Sequence, residues 1–190
     1  DGVDHLVLGE AEVTLAPFLT DLEKGCARHI YSTEERPDIS GTPAPLWSLI
    51  KMKHYGSMNL QYSRGCPFDC EFCDIVAFNG RTPRTKTKEQ FIAELDSLYD
   101  SGWRGSVFVV DDNFIGNKKK LKAEILPAII EWKQRTKYPF AFCTEASINL
   151  SDDEELMKLM VSAGFDVVFV GIETPNEESL AECTKGQNQH

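Results

Sequence analysis

From Ser57 onward, short apolar runs alternate with stretches whose apolar residues recur every three or four positions. Met58–Tyr62, Ser106–Val110, Phe140–Thr144 and Asp166–Val170 have the length and continuity of buried strands. Between them, Phe91, Ile92, Leu95, Leu98 and Tyr99 fall on one helical stripe, opened by the capping box Thr87-Lys-Glu-Gln90. Leu121, Ile125, Ile129 and Trp132 form a second stripe, with Asn117 as cap and Pro127 as a kink or break. Ser151-Asp-Asp-Glu154 caps a third stripe of Leu156, Leu159, Met160 and Ala163, stopped by Gly164. Thr174-Pro-Asn-Glu177 reads as a cap, a first-turn proline and a glutamate, opening a last helix. Four strand–helix units in sequence predict an α/β fold with a parallel sheet and right-handed crossovers.

The first residues repeat that pattern once. Val3–Leu8 predicts a strand, and Thr14–Gly25 a helix with Leu15, Phe18, Leu19 and Leu22 on one stripe. One strand and one helix cannot bury both their faces. Cys26 to Lys53 reads as irregular and, with Pro37, Pro43 and Pro45, as a linker. The expected organisation is therefore 1–25 as the end of a preceding domain, 26–56 as linker and 57–190 as the core.

Composition narrows the function classes. The chain has 190 residues, 42% hydrophobic and 26% charged, as in a globular domain, with no apolar run long enough for a transmembrane segment. A net charge of −10 argues against a general nucleic-acid surface, which needs clustered cations. The local basic group Arg81, Arg84, Lys86 and Lys88 reads either as a solvated loop or as a loop lining a site. Six cysteines without a secretory signal suggest reduced thiols in a cytoplasmic protein rather than disulfides. Cys26, Cys143 and Cys183 are expected to be buried free thiols, and His5, His29, His54 and His190 show no catalytic pattern. The start at Asp1 and the end at His190 suggest a piece of a longer chain.

In parallel sheets chemistry gathers at the carboxyl ends of the strands. The polar residues fall there: Asp111, Asp112 and Asn113 after the second strand, Glu145, Ser147 and Asn149 after the third, Glu173 after the fourth. After the first strand comes Cys66-Pro-Phe-Asp-Cys70-Glu-Phe-Cys73. Its three thiols lie within eight residues. A closed structural metal site usually takes four protein ligands, so three leave a coordination position free. A zinc knuckle with Cys143, Cys183 or His54 as fourth ligand, and three unrelated core cysteines, are the alternatives.

The Cys-x3-Cys-x2-Cys spacing, with Phe72 before the last cysteine, resembles the cluster loop of the radical S-adenosylmethionine (SAM) superfamily. The resemblance runs from Ser57 to the C-terminus. It implies a partial (β/α) barrel with four of the usual six units and an exposed apolar edge. It further implies a 4Fe–4S cluster on Cys66, Cys70 and Cys73, whose open iron binds SAM. Reduction, by a partner such as flavodoxin or ferredoxin, would then yield a 5′-deoxyadenosyl radical. Phe72 matches the aromatic that meets the adenine. Val110-Asp-Asp-Asn113 replaces the usual Gly-Gly-Glu element, leaving open which of Asp111, Asp112 or Asn113 holds the methionine amine. Glu145, Ser147 and Glu173 match positions that contact the ribose and methionine of SAM. The segment Val3–Glu12 before a proline-rich linker resembles the end of a cobalamin-binding domain. Phe140–Asn149, Val170–Pro175 and Lys185-Gly-Gln-Asn188 resemble a subgroup that includes hopanoid-lipid methylases. That implies cobalamin-dependent methylation of an unactivated carbon in a small-molecule or lipid substrate. Methylthiotransfer, a rearrangement, or a non-catalytic zinc or cluster module are the other readings.

Overall fold

The computed structural model describes residues 2–189, so His190 lies outside the described residues. The chain divides into two compact units, one reaching Thr42 and one beginning at Pro43. In the first, β1 (Leu6–Leu8), α1 (Ala11–Glu23) and β2 (Ile30–Ser32) form a crossover, with Val7 paired to Tyr31 in a parallel ladder. The span read as linker is thus not uniformly irregular. It contains β2 and the boundary between the units. Ile30 and Tyr31 are too short an apolar run for periodicity to reveal. The helix also departs from its predicted face. Thr14 is buried and Phe18 packs edge-on to Tyr31 at 5.4 Å, while Leu15, Leu19 and Leu22 are exposed. A two-stranded ladder is narrower than the helix stripe that faces it.

The second unit is built on β3 (Ser57–Leu60), β4 (Ser63–Arg64), α2 (Ile75–Asn79), β5 (Arg84–Thr85), α3 (Lys88–Asp100) and β6 (Ser106–Val109). It continues through α4 (Lys118–Lys120), a π-turn (Leu121–Ile125), α5 (Leu126–Thr136), β7 (Ala141–Ala146), α6 (Glu154–Ala163), β8 (Phe165–Val170) and α7 (Glu177–Glu182). The main sheet has the order β3-β6-β7-β8, parallel throughout. This is the α/β architecture the periodicity predicts.

One sheet face packs on the helices. Leu60, Val109 and Thr144 are in register there, and the core joins them to Phe91, Leu95, Leu98, Ile129, Trp132 and Leu156. The alternate residues face the other way. Asn59, Phe108, Cys143 and Val167 form one row across this second face, and Glu145 pairs with Phe169 further along. β8 is an edge of the sheet, and Val167 and Phe169 are 61% and 69% exposed, which is the apolar edge expected of a four-unit barrel.

The caps divide between success and correction. Thr87 accepts from the Gln90 amide and Asn117 from that of Lys120, as predicted. Asp153, not Ser151, caps α6, and Asn176, not Thr174, caps α7. Ser151 instead donates to the Ile148 carbonyl, and Thr174 accepts from Asn176 N–H. Pro127 lies at the second residue of α5, inside a helical stretch that runs without interruption from Lys118, so its missing N–H removes one bond to the preceding turn. The break it forces is the π-turn just upstream. Among the described residues, no helix is long and apolar enough to cross a membrane.

Candidate active site at the strand ends

The cysteine loop leaves β3 and is bracketed by the short antiparallel pair β4–β5. Asp111, at the end of β6, fixes its root. The Asp111 carboxylate is 1% exposed and accepts from Tyr62 N–H at 2.7 Å, Ser63 N–H at 2.8 Å and Ser63 Oγ–H at 2.5 Å. Burial pushes its pKa up to about 7 against the pull of those three donors. Asp112 anchors the next residues, accepting from Gly65 N–H at 3.0 Å and Asn79 Nδ2–H at 2.9 Å. Gly65 has φ +99°, and a Cβ there would sit 2.9 Å from the Gly80 carbonyl oxygen, so both conformation and space require glycine.

Cys66, Cys70 and Cys73 line one cavity of about 210 Å³. Phe72, Asp112, Asn113, Glu145, Ser147 and Glu173 line it too. Of the strand-end polar residues singled out in the sequence, Asp111, which holds Tyr62 and Ser63, and Asn149, which accepts from Ser147, do not line it. Asn113 is 3% exposed, and its amide joins two strand ends by donating to Ser147 Oγ and accepting from Ser147 N–H, both at 3.2 Å. Ser147 Oγ also donates to Asn149 at 2.7 Å. The Cys66 thiol is shifted up by burial, opposed by donors at Phe68 N–H and Asn113 and reinforced by Cys70 and Cys73. Cys143 and Cys183 are half-buried, and Cys26, expected to be buried, is exposed.

Sequence reading missed the wall formed after α7. Lys185 Nζ donates to Glu173 Oε1 at 2.5 Å and lies 5.3 Å from the centre of the exposed Phe72 ring. Gln187 Nε2 lies 3.2 Å from Cys70 Sγ. Asn188 Nδ2 ties the segment to the carbonyls of Gly171 and Ile172 at 3.0 and 2.9 Å. Glu173 itself has φ +61°, a left-handed conformation that costs a non-glycine residue about 1–2 kcal/mol. A Cβ at Gly171 would meet Glu173 Oε1 at 2.7 Å. The one available signal was the polar Lys185-Gly-Gln-Asn188 run at no strand end.

The basic group divides: Arg81 and Lys88 are solvent-exposed, as a solvated loop implies, while Lys86 is buried. None of the four lines the cysteine cavity. Lys86 is buried against Glu94 at 2.5 Å, Arg81 pairs with Asp69 at 3.2 Å, and Arg84 donates to the Asn79 carbonyl. A larger depression of about 500 Å³ lies between α3 and α5, but it contains no cysteine, and its Asp96 is held by Trp132 and Arg135.

Residues 60–189 match the radical SAM superfamily. The chain belongs to the radical SAM superfamily. Among curated proteins, it is 53% identical over 98% of its length to an uncharacterized methyltransferase of Synechocystis, covering 35% of that protein. It is 42% identical over 97% of its length to the hopanoid C-2 methylase of Rhodopseudomonas palustris, covering 36% of it. The chain therefore spans about a third of the length of these relatives. Among solved structures, the cobalamin-dependent SAM radical enzyme OxsB superposes with a TM-score of 0.75 at 22% identity, over 95% of this chain and 30% of that one. The radical SAM methyltransferase TsrM of Kitasatospora setae gives 0.74 at 18% identity, over 97% of this chain and 40% of that one. These two likenesses establish the radical SAM fold.

The donor set suits the superfamily's 4Fe–4S cluster. Three thiols open onto a shared cavity beside polar acceptors. A cluster takes one thiolate per iron, so its ligands spread more widely than those of one zinc ion.

Proposed function

We propose that Cys66, Cys70 and Cys73 hold a 4Fe–4S cluster with one iron open to SAM, and that the protein carries out cobalamin-dependent methylation of an unactivated carbon. The observation that carries the reading is the single cavity that three thiols share with polar side chains from three further strand ends. When bound and reduced, the cluster supplies the electron that cleaves SAM to a 5′-deoxyadenosyl radical. Asn113 and Glu173 offer acceptors for the methionine ammonium, and Glu145 and Ser147 offer partners for ribose hydroxyls. Phe72 presents an exposed aromatic edge for the adenine. Asp112 acts from beneath, fixing the glycine turn that enters the cysteine loop. Lys185 fixes the direction of the Glu173 carboxylate.

Methyl transfer as the outcome rests on the relatives named as methyltransferases and on the parallel β1-α1-β2 crossover. Such a crossover suits the end of a cobalamin-binding domain. A small-molecule or lipid substrate and a flavodoxin- or ferredoxin-type reductant complete the reading. The test is turnover of the full-length enzyme with methyl-labelled SAM, with and without cobalamin. A labelled product that requires cobalamin supports the proposal. Turnover without cobalamin, or a product lacking the label, turns it toward methylthiotransfer or rearrangement.

A further inference from the structure

We infer that Gln187 is a positioning residue that raises the reduction potential of the cluster from outside the cysteine loop. The inference rests on the cluster assignment proposed above. Gln187 is half-buried and its Nε2–H donates to Cys70 Sγ at 3.2 Å, 117 residues away in sequence. That separation makes the contact a product of the fold rather than of the loop's own turns.

The segment that carries Gln187 is fastened on both sides. Lys185 is bonded to Glu173, Asn188 to the carbonyls after β8, and Glu71 N–H to the Cys183 carbonyl at 3.0 Å. The amide is therefore held at the sulfur by the end of the fourth strand and by the loop itself. Reduction adds negative charge to a cluster and its thiolates. An N–H donor aimed at a ligating sulfur stabilises that charge, so it favours the reduced state and raises the potential. Cys66 takes the Phe68 N–H of its own loop and the more distant Asn113 Nδ2, at 3.9 Å, whereas Gln187 brings Cys70 a side-chain donor at 3.2 Å from the far end of the fold. The same segment carries the Lys185–Glu173 pair, so the donor to the cluster and the wall of the proposed SAM pocket share one support.

The test is an EPR-monitored redox titration of the anaerobically reconstituted full-length protein, comparing wild type with Gln187→Leu and Gln187→Glu. Leucine removes the donor. Glutamate keeps the shape, replaces the donor with an acceptor, and keeps a polar surface if leucine disturbs the fold. Both variants are expected to have a lower midpoint. At a fixed potential the ratio of reduced to oxidised cluster should fall about tenfold, which is ~59 mV for a one-electron couple. A midpoint unchanged or raised in either variant, at wild-type iron and sulfide content, overturns the inference. If the wild type itself assembles no cluster, the underlying cluster assignment fails instead.

Discussion

Asn113 grips Ser147 at two points, donating from Nδ2 to Oγ and accepting at Oδ1 from the backbone N–H, each at 3.2 Å. The first residue follows β6 and the second follows β7, so one side chain sets the spacing between two strand ends. Both face the cavity that contains the three thiols. An amide suits this place because it offers a donor and an acceptor on one rigid plane.

Asn113→Ala should therefore weaken SAM binding while the cluster still assembles. The expected loss is about tenfold, or ~1.4 kcal/mol. Isothermal titration with SAM under anaerobic conditions measures it. Wild-type affinity in this variant would place the SAM contacts elsewhere.

Asp111 and Glu173 should separate by phenotype, although both stand at strand ends. Asp111→Asn turns an acceptor into a donor facing Tyr62 N–H, Ser63 N–H and Ser63 Oγ–H. It should cost about 1–3 kcal/mol of stability, as a buried group left unsatisfied does. Glu173→Gln sits in a half-exposed wall and should lower SAM affinity with little effect on stability. Urea unfolding and SAM titration on both variants read the two effects. Similar stability losses in both would remove the distinction.

Asp111 also predicts a pH dependence. Its folded pKa is raised from 3.8 to about 7, so between these values the folded chain holds a proton that the unfolded chain has released. Stability from this group is complete below about pH 4 and declines as pH rises to about 7. Unfolding free energy measured across that range should fall more in the wild type than in Asp111→Asn. Parallel slopes in the two proteins would assign the dependence to other groups.

The Lys86–Glu94 pair is buried on both sides, and burial raises the Glu94 pKa against the pull of Lys86. Lys86→Met strands the carboxylate and should destabilise by about 3–5 kcal/mol. Replacing both partners, Lys86→Met with Glu94→Leu, should recover most of that loss. Equal stability of the single and double variants in denaturant melts would show that the charge is not what matters.

What the sequence disclosed follows the reach of each signal. The four sheet strands were legible as short continuous apolar runs around residues such as Val107, and their helices because Leu95, Leu156 and their neighbours recur at helical spacing over many residues. The cysteine loop was legible because its three cysteines lie within eight residues of each other. Lys185 and Gln187 were not, because they reach Glu173 and Cys70 only after the chain has folded back. Asp111 was misplaced because three acidic or amide residues in a row after β6 do not say which face the cavity; Asp112 and Asn113 line it, while Asp111 turns to the Tyr62 and Ser63 amides. Lys86 looked like a surface cation because its partner Glu94 lies on the buried face of α3, inside an otherwise apolar stripe.

The central claim is that the three cysteines of one loop hold a cluster with an iron left open for SAM. Anaerobic reconstitution of the full-length protein, with iron and sulfide assay and EPR of the reduced state before and after adding SAM, tests it most directly. The account predicts about four irons and four sulfides per chain, and a reduced signal whose g-values shift when SAM is added. Stoichiometric zinc in place of iron, or a reduced signal that SAM leaves unchanged, would contradict it.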